Sequence, residues 1–288
     1  MSGIMASARA GGTVEKLADN VSPTFARVLS IVIILAIGPL TGYFPLMSKT
    51  VCAFRSPYHD QYTESHGGGR SALSLFFAGY DALVVTGRAR ELSCLSFGSR
   101  HLLIEDVSFM KGYGTAMTGK LIRRMFSKSS GHRSILRIGP AGEIGSAMAC
   151  INIDSYRHFG RLGGGAVMGA KNLKAVVVRG KQGKKDFQVA DKDAIVKLAQ
   201  HGAKIFPESD VAGLGKYGTA ETTGAQQSVG GLPSYNFNSG VFEGWEAIDG
   251  TTMYDTILKG AAEDKQDIRG RDTCYSCTIR CKRVVEIT

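Results

Sequence analysis

RHFGRLGGGAVMGAKNLKAVVVRG, residues 157–180, passes from a basic, glycine-rich segment into an unbroken β-branched run. Arg157 and Arg161 stand four apart with Gly160 between them, and are followed by glycines at 163, 164, 165 and 169 and by Lys171 and Lys174. Guanidinium forks and closely approaching backbone N–H groups suit phosphate-like oxygens, so the composition is that of an anion cradle. No GlyLysThr or GlyLysSer closes the segment as in a P-loop, and the glycine order does not match a dinucleotide fingerprint. A glycine-rich connection packed against a neighbour is the competing explanation. The AlaValValValArgGly end reads as a buried strand, which makes the surrounding region β-rich.

Outward from this stretch, residues 31 to 180 repeat short apolar runs closed by turn residues. They are IVIIL (31–35), TVCAF (50–54), ALVVTG (82–87), LLIEDV (102–107) and SILRIG (134–139). Such runs predict strands, and Thr115 to Phe126 predicts one amphipathic helix among them. Beyond Val189 the pattern changes. Residues 190–206 have helical spacing with an acidic first turn, Thr252 to Glu263 predicts a second helix, and 213–244 reads as long loops. The fold class is therefore α+β: residues 1–30 unassigned, a β-rich domain over 31–189, and the start of a helical domain over 190–288. No internal repeat of fixed period is present.

Composition bounds the partners. The 288 residues are 43% hydrophobic and 21% charged, with 37 glycines, a net charge of +10 and a pI near 9.3. That balance admits nucleic acid, a membrane surface or an anionic cofactor. The basic residues are dispersed apart from local groups at 120–128 and 180–185, and no aromatic-basic interleaving supports base stacking, so nucleic acid is not expected. The apolar stretch Val28 to Leu40 falls short of the roughly 20 residues that span a bilayer, and it predicts a buried strand running into a turn rather than a membrane segment. Six cysteines, three of them within eight positions, do not resemble a secreted disulfide framework and indicate a reducing, cytoplasmic setting.

Cys274, Cys277 and Cys281, in CYSCTIRC, are spaced as thiolates gripping an iron-sulfur cluster or a zinc ion from one local turn. A fourth ligand is required. It comes from Cys52, Cys94 or Cys150, from a non-cysteine group, or from a stretch absent from the sequence. Absence is the preferred explanation, which makes the chain an N-terminal portion. His66, in SHGGGR (65–70), reads locally as a loop histidine beside a flexible turn.

Taken in order, IGPLTG (37–42), FAGYDALVVTG (77–87), IGPAGE (138–143), residues 157–180, KYGTA (216–220), NFNSGVFEG (236–244) and the cysteine run make the chain resemble the aldehyde ferredoxin oxidoreductase family, over about residues 31–288. The resemblance implies a tungsten or molybdenum bis-pyranopterin enzyme. In it Cys274, Cys277 and Cys281 hold a 4Fe-4S cluster, and the fourth cysteine lies beyond Thr288. It places pterin contacts on Lys49, His66, Gly68, Arg157, His158, Gly160 and Arg161, with magnesium bridging the pterin phosphates. It also implies a small aldehyde as substrate, ferredoxin as electron acceptor, and either a homodimer or a partner chain supplying the remaining part. Three departures stand out. Histidine occupies position 66 where the family has asparagine, lysine occupies position 49 where arginine is common, and the family's opening strands are not recognisable in residues 1–30. Acid-base residues lie in later segments of the family, so no catalytic residue is named, and the polypeptide alone is not expected to turn over aldehydes. A non-catalytic electron-transfer or scaffold module, keeping the cluster without the pterin, is the alternative.

Overall fold

The computed structural model describes residues 5–7, 32–127, 131–160, 162–181, 189–259 and 270–286. The chain divides into two compact units, Met1–Val189 and Ala190–Thr288.

The first unit holds two sheets. The five-stranded sheet uses β1 (Met5–Ser7), β2 (Ile33–Ile37), β3 (Thr50–Arg55), β4 (Tyr62–Gly67) and β5 (Ala82–Thr86), in the order β1-β5-β2-β3-β4. The six-stranded sheet uses β6 (Ser93–Gly98), β7 (His101–Asp106), β8 (His132–Arg137), β9 (Ile151–Ile153), β10 (Arg157–Phe159) and β11 (Leu173–Gly180), in the order β10-β9-β8-β11-β6-β7. Only the β11–β6 pair is parallel. Helices α1 (Ser71–Ala78), α2 (Thr115–Met125), α3 (Pro140–Glu143) and α4 (Gly164–Ala170) complete the unit.

The run at 173–180 is continuously apolar because β11 is central and covered on both faces. Val176 and Val178 join Ile33, Leu35, Phe54, Val85, Leu95, Leu136 and Ile153 in the main core between the sheets. Ala175 and Val177 point the other way, into a second core with Met110, Ile122 and Ile135 beneath α2. Cys52 and Cys94 are fully enclosed in these cores, and burial pushes both thiols up, Cys94 to about 12. Thiols kept protonated by their own core are poor cluster ligands.

Strands β1, β4, β6, β9 and β10 lie outside the runs read as strands, and β7 differs in its exposure. β1, at residues 5–7, pairs with β5 within the segment left unassigned. β7 is exposed along its whole length despite its aliphatic sequence.

The second unit contains α5 (Lys192–Ile205), α6 (Ala212–Tyr217), α7 (Thr223–Ser228) and α8 (Gly250–Thr256), with a short ladder of β12 (Arg271–Asp272) and β13 (Lys282–Arg283). Asp191 caps α5 by accepting the Ala194 N–H at 2.9 Å, as the acidic start of that segment suggests. The stretch 213–244, expected as loops, forms α6, a 3-10 turn at Gly218–Thr222 and α7. Its glycines allow close backbone packing where composition suggested only irregular chain. The helix expected at Thr252 to Glu263 is α8, which ends at Thr256, and residues 260–263 lie outside the described residues. Among the described residues no helix is long and apolar enough to cross a membrane.

Candidate pterin saddle and cysteine loop

The edges of the two sheets, β4 and β10, meet in the first unit. Strand β3 pairs with β4 so that Thr50 faces Gly67 and Val51 faces His66, and Lys49 immediately precedes Thr50. The Thr50 and Ser71 hydroxyls share a buried hydrogen bond of 2.7 Å, which ties the first residue of α1 to the start of β3. Gly67, Gly68 and Gly69 carry the chain from β4 into that helix. A Cβ on Gly67 would stand 2.8 Å from the Phe159 ring, so only glycine lets β4 lie against β10. Gly69 has φ +99°, and a Cβ there would stand 3.2 Å from the Arg157 Cγ. Arg157 therefore crosses directly over the glycine turn.

Helix α1 starts at this turn with Arg70 as its N-cap residue, no side-chain cap and no acidic residue in its first turn. The orphan N–H groups and the positive end of the helix dipole there favour an anion.

On the other edge, β9 and β10 set Asn152 opposite His158 and Ile153 opposite Arg157. The buried Asn152 amide nitrogen lies 3.0 Å from the His158 Nε2 and donates to the Arg157 carbonyl at 3.4 Å. This contact ties the His158 ring to β9. The hairpin between these strands turns at Asp154, whose φ is +52°. Its carboxylate accepts the Ser134 hydroxyl at 3.1 Å and the Ile135 N–H at 3.0 Å. Burial pushes the Asp154 carboxyl up, against the lowering effects of those hydrogen bonds and of Arg70 and Arg137.

The positions named from the sequence separate as follows. Lys49, His66 and Gly68 share the β3–β4 end, with Lys49 and His66 exposed, while Arg157 and His158 form β10. His66 Nε2 lies 3.4 Å from Glu64, which gives the imidazole an acidic neighbour within the site. A Cβ on Gly160 would meet nothing within 4 Å, so its surface is open to a ligand. Arg161 lies outside the described residues. Arg70 was missed, although it directly follows the glycine turn, and its influence on Asp154 places its charge at the same edge.

The cradle composition overreached beyond Gly160. Gly165 and Gly169 pack against backbone, with Cβ positions that would collide with the Cys150 carbonyl and with Gly142. Lys171 is buried and donates to the Gly87 carbonyl at 2.9 Å. Lys174 donates to the Tyr113 carbonyl at 2.8 Å and pairs with the Glu143 carboxylate. Both ammonium groups serve the interior, so this part of the stretch is the packed connection. What remains for an anionic cofactor is the exposed Lys49 and Arg70, the part-buried Arg157, the open Gly160 and the uncapped start of α1. A phosphate-bearing pterin fits that donor set.

In the second unit, β12 and β13 join the ends of the cysteine loop by pairing Arg271 with Arg283 and Asp272 with Lys282. The Thr273 hydroxyl lies 2.9 Å from the carbonyls of both Cys274 and Cys277, and Ser276 and Arg280 take φ values of +50° and +51° to fold the loop tightly. Gly218 supports it from below: at φ +67°, a Cβ would stand 2.8 Å from the Cys281 carbonyl. Arg283 donates to the Gly215 and Lys216 carbonyls at 3.0 and 3.2 Å, fixing the loop to the end of α6. None of the three thiols is in a disulfide, and all are half-buried. Soft, preorganised thiols beside basic side chains suit an iron-sulfur cluster. Among the described residues no three His, Cys, Asp or Glu side chains converge as a finished metal site, so the loop offers the donors without closing them around a metal.

Two family models match the chain: the aldehyde ferredoxin oxidoreductase N-terminal domain over residues 9–180, and domains 2 and 3 of the same enzymes over residues 197–288. The chain belongs to the aldehyde ferredoxin oxidoreductase family. It is 34% identical over 255 residues to the tungsten-containing aldehyde ferredoxin oxidoreductases of Pyrococcus furiosus and Thermococcus kodakarensis, covering 88% of this chain and 40% of each relative. It is 30% identical over 158 residues to the WOR-like subunit of an aliphatic sulfonate oxidoreductase from Pyrococcus furiosus, covering 51% of this chain and 25% of that one. A solved active-site complex BamBC of benzoyl coenzyme A reductase shares the fold. The TM-score is 0.68 at 24% identity, over 89% of this chain and 39% of its own. The chain thus spans about 40% of the length of the aldehyde ferredoxin oxidoreductases it matches. Both the glycine-arginine edge and the cysteine loop lie within the family-matched segments.

Proposed function

We propose that this chain provides one pterin-binding face and three cluster ligands of a tungsten enzyme that oxidises aldehydes to carboxylic acids and passes electrons to ferredoxin. The observation that carries the proposal is the meeting of β4 and β10, which brings Lys49, His66, Gly68, Arg70, Arg157, His158 and Gly160 to one edge around an uncapped helix start. Arg157 and Arg70 hold phosphate oxygens, and the α1 amides donate to them without side-chain reorganisation. Lys49 adds a point charge where arginine would give a bidentate contact. His158, held by Asn152, adds a hydrogen-bonding imidazole to the same edge. A magnesium ion would offset the phosphate charge beside this edge. Cys274, Cys277 and Cys281 hold three corners of a 4Fe-4S cluster. The tungsten centre supplies the oxygen transfer and redox change when bound, while the chain positions it and shields its phosphates.

The test is tungsten and pterin content after anaerobic expression with tungstate. The proposal expects both to copurify with the chain and to fall at least tenfold in Arg157→Ala, with the fold retained. Iron bound without any tungsten or pterin would instead identify a cluster-bearing module.

A further inference from the structure

The two rungs of the ladder that closes the cysteine loop differ in kind. Asp272 opposite Lys282 is a complementary pair, whereas Arg271 opposite Arg283 sets like charge against like. Like charges directly opposite on paired strands destabilise a ladder. Both arginines are half-buried, and the Nε of each is buried with no hydrogen-bond partner among the described residues. Among the described residues no carboxylate forms an ion pair with either guanidinium. Cations withdrawn from water ordinarily have a partner of opposite sign.

The loop can supply that sign. Arg271 stands three positions before Cys274 and Arg283 two after Cys281, so the pair brackets the three thiols. A Cβ on Gly218 would stand 2.8 Å from the Cys281 carbonyl and 2.9 Å from the Arg283 Cγ, which puts the arginine stem beside Cys281. Arg283 also donates to the carbonyl of Arg280, inside the loop. Burial and then Arg271 disfavour the charge on Arg283, and the groups that favour it are Cys281 and Tyr254. From 271 to 283 one acid, Asp272, stands against Arg271, Arg280, Lys282 and Arg283. A thiolate-ligated cluster is an anion, and each electron it accepts adds one negative charge.

We propose that the Arg271–Arg283 pair sets a positive field over the cysteine loop that favours the one-electron-reduced form of the cluster. This rests on the reading that Cys274, Cys277 and Cys281 hold a 4Fe-4S cluster. A fixed cation beside a redox centre stabilises the form with more negative charge and raises its reduction potential. Aldehyde oxidation releases two electrons, and they pass singly through the cluster to ferredoxin. The guanidinium groups keep their charge throughout and transfer no proton. Both are positioning residues, acting through the cluster rather than on substrate.

Arg271 is the cleaner handle, because Arg283 also ties the loop to the Gly215 and Lys216 carbonyls. The measurement is a redox titration of the anaerobically prepared full chain, followed by electron paramagnetic resonance. Arg271→Gln should make the cluster about tenfold harder to reduce, which is 59 mV for a one-electron couple, at unchanged iron per chain. Arg271→Lys keeps the charge and should restore most of the potential. Arg271→Glu separates field from structure, since it gives Arg283 an acidic partner across the ladder. Its metal-free chain should melt at a higher temperature than wild type, while its cluster should be harder to reduce than in Arg271→Gln. For a variant that does not load iron, the ratio of iodoacetate to iodoacetamide alkylation rates at the loop cysteines of the metal-free chain, read by peptide mass spectrometry, reports the same field. That ratio should fall in Arg271→Gln and further in Arg271→Glu, and an unchanged ratio would overturn the proposal. An unchanged potential in iron-loaded Arg271→Glu would overturn the field and leave the cluster reading standing. Wild type without iron would overturn the cluster reading and this inference with it.

Discussion

Lys171 carries an ammonium group into the interior, where it donates to the Gly87 carbonyl, and burial brings its pKa down to about 8 from the ordinary 10.5. Between those values the unfolded chain holds a proton that the folded chain has released, so stability climbs as pH rises through the window. Below about 8 both states are protonated, and the fold bears the full cost of the buried charge. Lys171→Met should flatten this climb by roughly 2 to 3 kcal/mol, read from guanidinium unfolding of both proteins at the two ends of the window. Equal slopes in variant and wild type would show that another group is responsible. Lys174 behaves differently, because Glu143 is its partner. Lys174→Met leaves a nearly buried carboxylate unpaired and should destabilise the first unit by about 3 to 5 kcal/mol, while Lys174→Met/Glu143→Leu recovers most of it. Neither role could be read from sequence, where two lysines after a glycine run look like phosphate ligands. Burial is decided by the partners that tertiary structure brings, and Gly87, Tyr113 and Glu143 are far away along the chain.

At the scale of elements, the strands that sequence revealed were those with apolar content, such as β2, β3, β5, β8 and β11. Strand β4 escaped because its residues Tyr62–Gly67 are mostly polar, as befits a sheet edge, and β10 is only three residues long. Yet the candidate site lies along these two edges, and the family resemblance named residues on them without showing that the edges meet. Arg70 fell between the two: the glycine turn before it was noticed, but the helix start that its backbone caps was not. The KYGTA stretch has a concrete purpose in the second unit, because Gly218 passes beneath the Cys281 carbonyl in a left-handed conformation. Gly218→Val should therefore strain that turn, displace the cysteine loop and reduce iron bound per chain severalfold, with the fold of the first unit intact. Iron content together with a folding probe on the first unit checks this. Unchanged iron would show that the support under Cys281 is dispensable.

For the whole molecule, family membership and the α+β architecture were both legible in the ordered series of short motifs, since each motif marks a place where backbone approaches backbone or ligand closely. The proposed division of labour between the two regions rests on their chemistry, arginine and amide donors suited to hard oxygen anions in one and soft sulfur donors in the other. The most direct measurement is tungsten and iron per chain by elemental analysis of anaerobically prepared wild type, Arg157→Ala and Cys277→Ser. The account predicts that Arg157→Ala keeps its iron and loses tungsten, while Cys277→Ser loses iron. Wild type that binds neither metal, or an Arg157→Ala protein with undiminished tungsten, would contradict it.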